Sequence, residues 1–223
     1  MTMRRRWWVL WFALIYLSLL LVKALTRRDD WSSAYAAVGL VAVAGGGYLL
    51  ARLRYRRHLR RWAAHREWTP IDPDGRAWPW PGQPRGTVKV RRAWQRETGG
   101  LLVTFAEVRW RGDAFDGMIL QPKGSGALVV VRLPQPEPPM ALHHAFEPVG
   151  DSPRLEQPAL LEAYLAGDIP TWTVRGDELY TVEARDAWVS PELADQVVDG
   201  ALRVVRLLDL GPDTSSAGPR VES

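Results

Sequence analysis

The chain has 223 residues, a net charge of +4 and no cysteine, so disulfide bonds and thiolate metal sites are excluded. Residues 1–66 contain 13 basic and two acidic side chains, a net charge of +11; the other 16 bases and 23 acids give residues 67–223 a net charge of −7. Because an acidic domain repels phosphate backbones, we expect no nucleic acid partner.

Two long apolar runs lie near the N-terminus, at residues 7–25 and 33–51. Each has about 19 residues, which at about 1.5 Å per residue matches the ~30 Å hydrocarbon core of a bilayer. A short loop joins them, so the sequence predicts a transmembrane hairpin with the lipid bilayer as its partner. A cleaved signal peptide is the competing interpretation of the first run, but no small-x-small cleavage site follows it.

Basic residues favour the cytoplasmic side of a membrane protein. The outer flanks of the two runs contain ten arginines, whereas the loop between them contains only Lys23, Arg27 and Arg28 as basic residues. We therefore expect a multi-pass protein of the inner (cytoplasmic) membrane with both termini in the cytoplasm.

The second run is rich in small residues, and Ala42 and Gly46 are spaced four apart. Small residues at this spacing let two helices approach closely. The partner helix is either the first span of the same chain or a second copy of the protein, so a homodimer remains open.

Residues 51–68 are predicted to continue the second helix into the cytoplasm. Basic clusters beside a span attract anionic lipid headgroups, at about 1 kcal/mol per basic residue. These arginines could equally serve only to fix the topology, and the two roles are compatible. The residues that we assign to anionic lipid are Arg52, Arg54, Arg56, Arg57, Arg60 and Arg61.

The chain therefore divides into four predicted segments. Residues 1–68 form the hairpin with its basic helix, and residues 69–86 form a linker rich in Pro, Gly and Trp. Residues 87–211 form a cytosolic α+β domain, a small mixed or antiparallel sheet with covering helices. Residues 212–223 form a disordered tail.

Within the domain, alternating and continuous apolar runs predict strands, and turn residues separate them. The proline-rich run 133–140 is predicted to be an extended connector. A short helix is predicted at residues 158–166, with Leu160, Leu161 and Leu165 on one side. The predicted strands are 87–94, 101–111, 114–121, 127–133, 141–147 and a hairpin of 171–174 with 178–182. A hairpin-type connection at residues 97–100, which end in Gly99 and Gly100, joins the first two strands. The continuous apolar run at residues 127–131 predicts a central strand buried on both faces.

The final helix has the strongest local signals. Ser190 is a favoured N-cap residue, Pro191 occupies the first helical position, and Gly211 and Pro212 follow the last turn. Between them, apolar residues recur at helical spacing from Leu193 to Leu208.

Motifs for chemistry are weak throughout the sequence. Neither HExxH, GxSxG, a P-loop nor GxGxxG occurs. His143 and His144 are adjacent, so on a strand they would point to opposite faces. We therefore expect no metal, no cofactor and no enzymatic activity.

Three stretches resemble those of uncharacterised two-span bacterial membrane proteins of the high-GC Gram-positive type: residues 129–134, 172–182 and 190–208. The resemblance implies a membrane hairpin with one cytosolic α+β domain. It implies no activity, and no functional residue can be transferred from it.

An anchored domain without a catalytic motif indicates a membrane-tethered interaction or scaffold module that binds a protein or peptide at the inner membrane face. Two alternatives remain open at this point. One is an accessory subunit that joins a larger membrane complex through the hairpin, and the other is an enzyme acting at the membrane surface.

Overall fold

The computed structural model describes residues 31–80, 86–115, 117–185 and 189–212, with side chains from residue 44 onward. The predicted first span at residues 7–25 and residues 213–223 of the predicted tail lie outside the described residues. The chain divides into two compact units, Met1–Arg61 and Trp62–Ser223.

Helix α1, Trp31–His65, contains the second apolar run and the basic segment that follows it. The predicted helical continuation beyond residue 51 is confirmed. Leu49 and Leu50 are more than half exposed. Among the residues that the structure describes, no helix has both the length and the apolar character that crossing a membrane requires.

The second unit contains one antiparallel sheet of six described strands, so the predicted α+β class is confirmed. The strands are β1 (Thr69–Ile71), β2 (Gly86–Thr98), β3 (Leu101–Gly112), β4 (Lys123–His143), β5 (Glu147–Val149) and β6 (Trp172–Ala184). Their order across the sheet is β1, β2, β3, β4 and β6, and β5 pairs with the C-terminal end of β4. The remaining helices are α2 (Pro158–Leu165), α3 (Pro191–Leu207) and two short 3₁₀ turns at Pro73–Gly75 and Pro153–Glu156.

The hairpin between β2 and β3 is confirmed. Its two turn residues, Gly99 and Gly100, have φ angles of 58° and 74°. Two successive positive φ angles match a type I′ turn, whose twist suits the flanking strands and which glycine adopts without steric cost.

Strand β4 is the centre of the sheet. Residues Ala127 to Val131 have no exposed surface, and this stretch pairs with β3 on one edge and β6 on the other. The continuous apolar run correctly predicted a strand buried on both faces.

The two faces of the sheet are covered differently. Helix α3 packs against the face that includes Phe105 and Val129, which we call the helix face. As predicted, the Ser190 hydroxyl caps this helix by accepting a hydrogen bond from the Leu193 amide at 3.2 Å. The opposite face is covered by residues 71–80 and by the loop after β3, and its core is a separate apolar cluster around Leu128.

One carboxylate of helix α3 binds two of the residues that follow Arg61. Asp195 on α3 accepts hydrogen bonds from the Trp62 indole at 3.0 Å and from the Arg66 guanidinium at 3.2 Å. The Trp62 and Trp68 rings also contact Phe105, at centroid distances of 5.5 and 6.3 Å. These residues therefore belong to the core of the domain.

The predicted linker at residues 69–86 is a structured part of the domain where the structure describes it. Thr69–Ile71 pairs with β2, and the Trp78 and Trp80 rings stack at 5.4 Å over the apolar cluster. Two tryptophans remove enough apolar surface from water to hold a segment that lacks regular structure.

Two predicted strands are wrong. Residues 114–115 and 117–121 form a loop rather than a strand, although Phe115 and Met118 are buried, because apolar side chains of a loop can also cover a sheet face. Residues 144–146 form a turn between β4 and β5, where Ala145 and Phe146 have positive φ angles, so the predicted strand 141–147 is interrupted.

The proline-rich connector and the hairpin after it are also corrected. Residues 133–140 belong to β4, and β6 runs without interruption through Gly176, the centre of the predicted hairpin turn. The register between β4 and β6 shifts on both sides of the Glu137 and Gly176 pair. Proline lacks the amide hydrogen of a ladder bond, so this stretch bulges while both strands continue.

The short helix is confirmed at Pro158–Leu165, but its predicted apolar side is only partly buried. Leu160 is buried, whereas Leu161 and Leu165 are exposed by 38% and 73%. Ala163 faces the core in their place, since it lies three residues from Leu160 and shares its face of the helix.

Gly126 tests the close contact between β4 and β6. A methyl group at Gly126 would collide with the backbone carbonyl oxygen of Glu183. We expect Gly126→Ala to lower the free energy of unfolding by about 1–3 kcal/mol, as overpacking does. Tryptophan fluorescence during chemical denaturation measures this change. Gly211→Ala is the control, because a methyl group there meets nothing within 4 Å; equal stability of the two variants would contradict the packing described.

Candidate functional site

A pocket of about 570 Å³, lined by both polar and apolar side chains, opens on the face of the sheet opposite α3. Its floor comes from strands β2, β3, β4 and β6, and its wall comes from the segment between β1 and Trp78. The lining residues are Ile71, Asp72, Gly75, Arg76, Ala77, Trp78, Gln95, Leu102, Thr104, Arg132, Asp177 and Glu178.

The register of the sheet brings the floor residues together. Gln95 is directly opposite Thr104, and Arg132 is directly opposite both Leu102 on β3 and Glu178 on β6. Directly paired residues of antiparallel strands project from the same face. The floor therefore consists of two neighbouring rows of side chains, one across β2 and β3 and one across β3, β4 and β6.

Arg76 links the wall of the pocket to its floor. Its guanidinium donates hydrogen bonds to the Thr104 hydroxyl and to a Glu178 carboxylate oxygen. Gln95 donates a further hydrogen bond to the same hydroxyl, at 3.3 Å. Thr104 is 1% exposed, so its oxygen is a buried acceptor for two donors.

The wall itself is held by two local interactions. The Trp78 indole donates to the Pro73 carbonyl at 2.9 Å, and the Asp72 carboxylate accepts from the Asp74 amide at 3.1 Å. The Arg76 guanidinium carbon lies 4.9 Å from the centroid of a Trp78 ring, within the range of a cation–π interaction. An aromatic surface thus supports the charged group from one side.

A second ion pair lies at the rim. The Arg132 guanidinium contacts the Asp177 carboxylate at 3.1 Å, and their side chains are 64% and 45% exposed. The Arg76 and Glu178 side chains are only 17% and 21% exposed. The inner pair is therefore shielded from water, while the rim pair is solvated and contributes little to stability.

The charges of the lining do not balance. Two guanidinium groups, on Arg76 and Arg132, face three carboxylates, on Asp72, Asp177 and Glu178. Each guanidinium has a carboxylate partner, and the Asp72 carboxylate has no ion-pair partner among the described residues. The described lining therefore offers hydrogen-bond donors and acceptors together with a small excess of negative charge.

The sequence-predicted site residues lie elsewhere. All six arginines assigned to anionic lipid are exposed on α1, and none of them lines the pocket. Around Gly46, an added methyl group meets no described atom within 4 Å. The side chain of Ala42 lies outside the described residues. The six arginines are Arg52, Arg54, Arg56, Arg57, Arg60 and Arg61.

The sequence analysis did not find the pocket residues. Arg76 lay in the predicted linker, and Asp177 lay in a predicted hairpin turn. One usable signal was present: Thr104 is a polar residue on the same side of β3 as Ala106 and Val108, on a face that is otherwise apolar. A buried hydroxyl on an apolar face needs a partner, which indicates a polar contact from another segment.

The chain matches no protein-family model, no curated protein and no solved structure.

Thr104 and Thr181 form a matched pair for testing the buried network. Both are almost fully buried on β3 and β6, but the Thr181 hydroxyl has no hydrogen-bond partner among the described residues. We expect Thr104→Val to lower the free energy of unfolding by about 1–3 kcal/mol, because it leaves two donors unsatisfied. Thr181→Val should leave stability unchanged or raise it by about 1 kcal/mol.

Chemical denaturation followed by tryptophan fluorescence measures both changes. The same loss in both variants would mean that the Thr104 hydroxyl has no special role.

Proposed function

We propose that the protein is a membrane-anchored interaction module that binds a protein or peptide partner in the pocket described above. The pocket is the observation that carries the proposal. Its volume falls within the range of about 300–1,000 Å³ typical of ligand sites, and polar groups from four strands converge on it. The described residues of its lining include Thr but no Ser, Cys, His or Lys, which favours recognition over nucleophilic catalysis.

The proposed anchor rests on the two apolar runs of the sequence at residues 7–25 and 33–51. Exposed apolar side chains in the described part of the second run fit this role. Tyr48, Leu49 and Leu50 are exposed by 46%, 54% and 60%. Contact between such a group of apolar side chains and water is unfavourable, whereas contact with lipid is not.

The proposed orientation places the domain at the inner face of the cytoplasmic membrane. The six exposed arginines of α1 then lie where anionic lipid headgroups are accessible. A net charge of −7 in residues 67–223 opposes binding of the domain itself to the same lipid surface. The pocket would therefore stay available to a partner in the cytoplasm.

Photocrosslinking in cells tests the partner site. A photoreactive residue at Ala77, on the pocket wall, should crosslink one discrete partner in the membrane fraction. The same group at Leu165, which is 73% exposed on α2, is the control and should not crosslink that partner. When Arg132→Gln is combined with the probe at Ala77, the yield of the crosslinked partner should change, because this rim arginine lines the pocket.

Two results would contradict this proposal. One is crosslinking of the same species from both positions, and the other is recovery of the intact chain from the soluble fraction.

Lipid retention tests the basic segment. In the purified full-length protein, replacing all six arginines with glutamine should remove most co-purifying anionic lipid, since each basic residue contributes about 1 kcal/mol. Mass spectrometry of the bound lipid measures the change. Arg203→Gln and Arg206→Gln, two exposed arginines of α3, serve as controls and should leave the bound anionic lipid unchanged. An unchanged lipid content in the six-residue variant would limit these arginines to setting topology.

A further inference from the structure

We propose that the pocket recognises a positively charged group on a flexible stem, namely a guanidinium or ammonium such as the side chain of arginine or lysine. The inference rests on the proposed function only in taking the pocket as the binding site. The same chemistry is offered by a basic peptide segment and by a free polyamine, and the experiment below separates these two sources.

Charge balance is the first argument. Among the described residues, the lining has one more carboxylate than guanidinium, and both of these guanidiniums already contact a carboxylate. A carboxylate has two oxygens and about four acceptor positions. The contacts of Asp177 and Glu178 to arginine each use one oxygen, so their second oxygens can accept from a ligand. A cationic ligand would bring the pocket to neutrality, whereas an anionic ligand would increase its imbalance.

Arg76 provides the second argument, because it shows how this pocket holds a guanidinium. Its charged group is bound by Glu178 and Thr104 and lies over Trp78 at 4.9 Å. The pocket thus offers a carboxylate, a hydroxyl and an aromatic surface to one guanidinium of its own chain. A second cation could use the remaining carboxylate oxygens beside it.

The lining also suits the stem that carries the charge. Ile71, Ala77 and Leu102 present apolar surface beside the charged groups. Long basic side chains place their methylene groups on such surface while the charged end makes polar contacts. The negative charge of residues 67–223 adds a field that draws cations toward the domain.

Binding of short peptides to the full-length protein in a non-ionic detergent tests the proposal. The probe is an acetylated, amidated pentapeptide with arginine between two glycines on each side. Its matched control replaces arginine with citrulline, which has nearly the same shape and no charge. We expect the citrulline peptide to bind at least about tenfold more weakly, because the positive charge that strengthens its hydrogen bonds to the carboxylates is lost.

Two single variants determine the sign of the ligand charge. Asp177→Asn should weaken binding of the arginine peptide about fivefold, and Arg132→Gln should strengthen it by a similar factor, since each changes the local charge by one unit. Asp168→Asn is the matched control: Asp168 also pairs with an exposed arginine, and its side chain is 42% exposed against 45% for Asp177. Asp168→Asn should leave the affinity unchanged.

Each outcome has one meaning. Equal affinity for the arginine and citrulline peptides overturns the proposal, and so does the opposite response of the two variants, which would indicate an anionic ligand. A fall in affinity with Asp168→Asn equal to that with Asp177→Asn also overturns it, as it would show only a general field effect.

Spermidine identifies the source of the cation. If it binds as tightly as the arginine peptide, the cation class is supported with a free amine as the ligand. Tighter binding of the peptide supports a protein partner. Pocket-dependent crosslinking at Ala77 without any peptide or spermidine binding would leave the binding module in place and remove the cation as its ligand.

Discussion

The burial of strand β4 on both faces and its pairing on both edges is the constraint on which the rest of the domain depends. Residues Ala127 to Val131 have no contact with water, so every backbone group of this stretch must find its partner within the sheet. Strands β3 and β6 meet that need, and covering both faces requires α3 on one side and the Trp78–Trp80 region on the other.

The pocket lies beside the segment that covers the sheet face opposite α3. Residues 71–80 cover the apolar centre of the sheet, and Arg76 in this segment makes polar contacts beside that centre. Arg76 contacts Thr104 and Glu178, which lie 28 and 102 residues further along the chain. Arg76 can contact both residues at once only when β3 and β6 are paired with β4, so the complete site depends on the fold of the whole domain.

Local signals in the sequence were enough to predict several elements correctly. The glycine pair after Thr98 predicted the first hairpin, the apolar run at residues 127–131 predicted the central strand, and Ser190 with Pro191 predicted the last helix. Each of these depends on interactions within a few residues or on simple burial.

The pocket depends on register and on contacts between distant segments, which composition and periodicity do not encode. Gly176 illustrates the difference. Gly and Asp together favour a turn, yet the missing ladder bonds of the prolines in β4 make the same residues part of a bulge.

The prolines of β4 have a consequence beyond this bulge. Between Arg132, the last residue paired with β3, and Ala141, the first paired with β5, this edge of β4 has no strand beside it among the described residues. Pro134, Pro136, Pro138 and Pro139 fall in that gap. A bare strand edge invites intermolecular sheet growth and aggregation, and imino residues withhold the donors that such growth needs. The prolines thereby protect this stretch of backbone while keeping it extended.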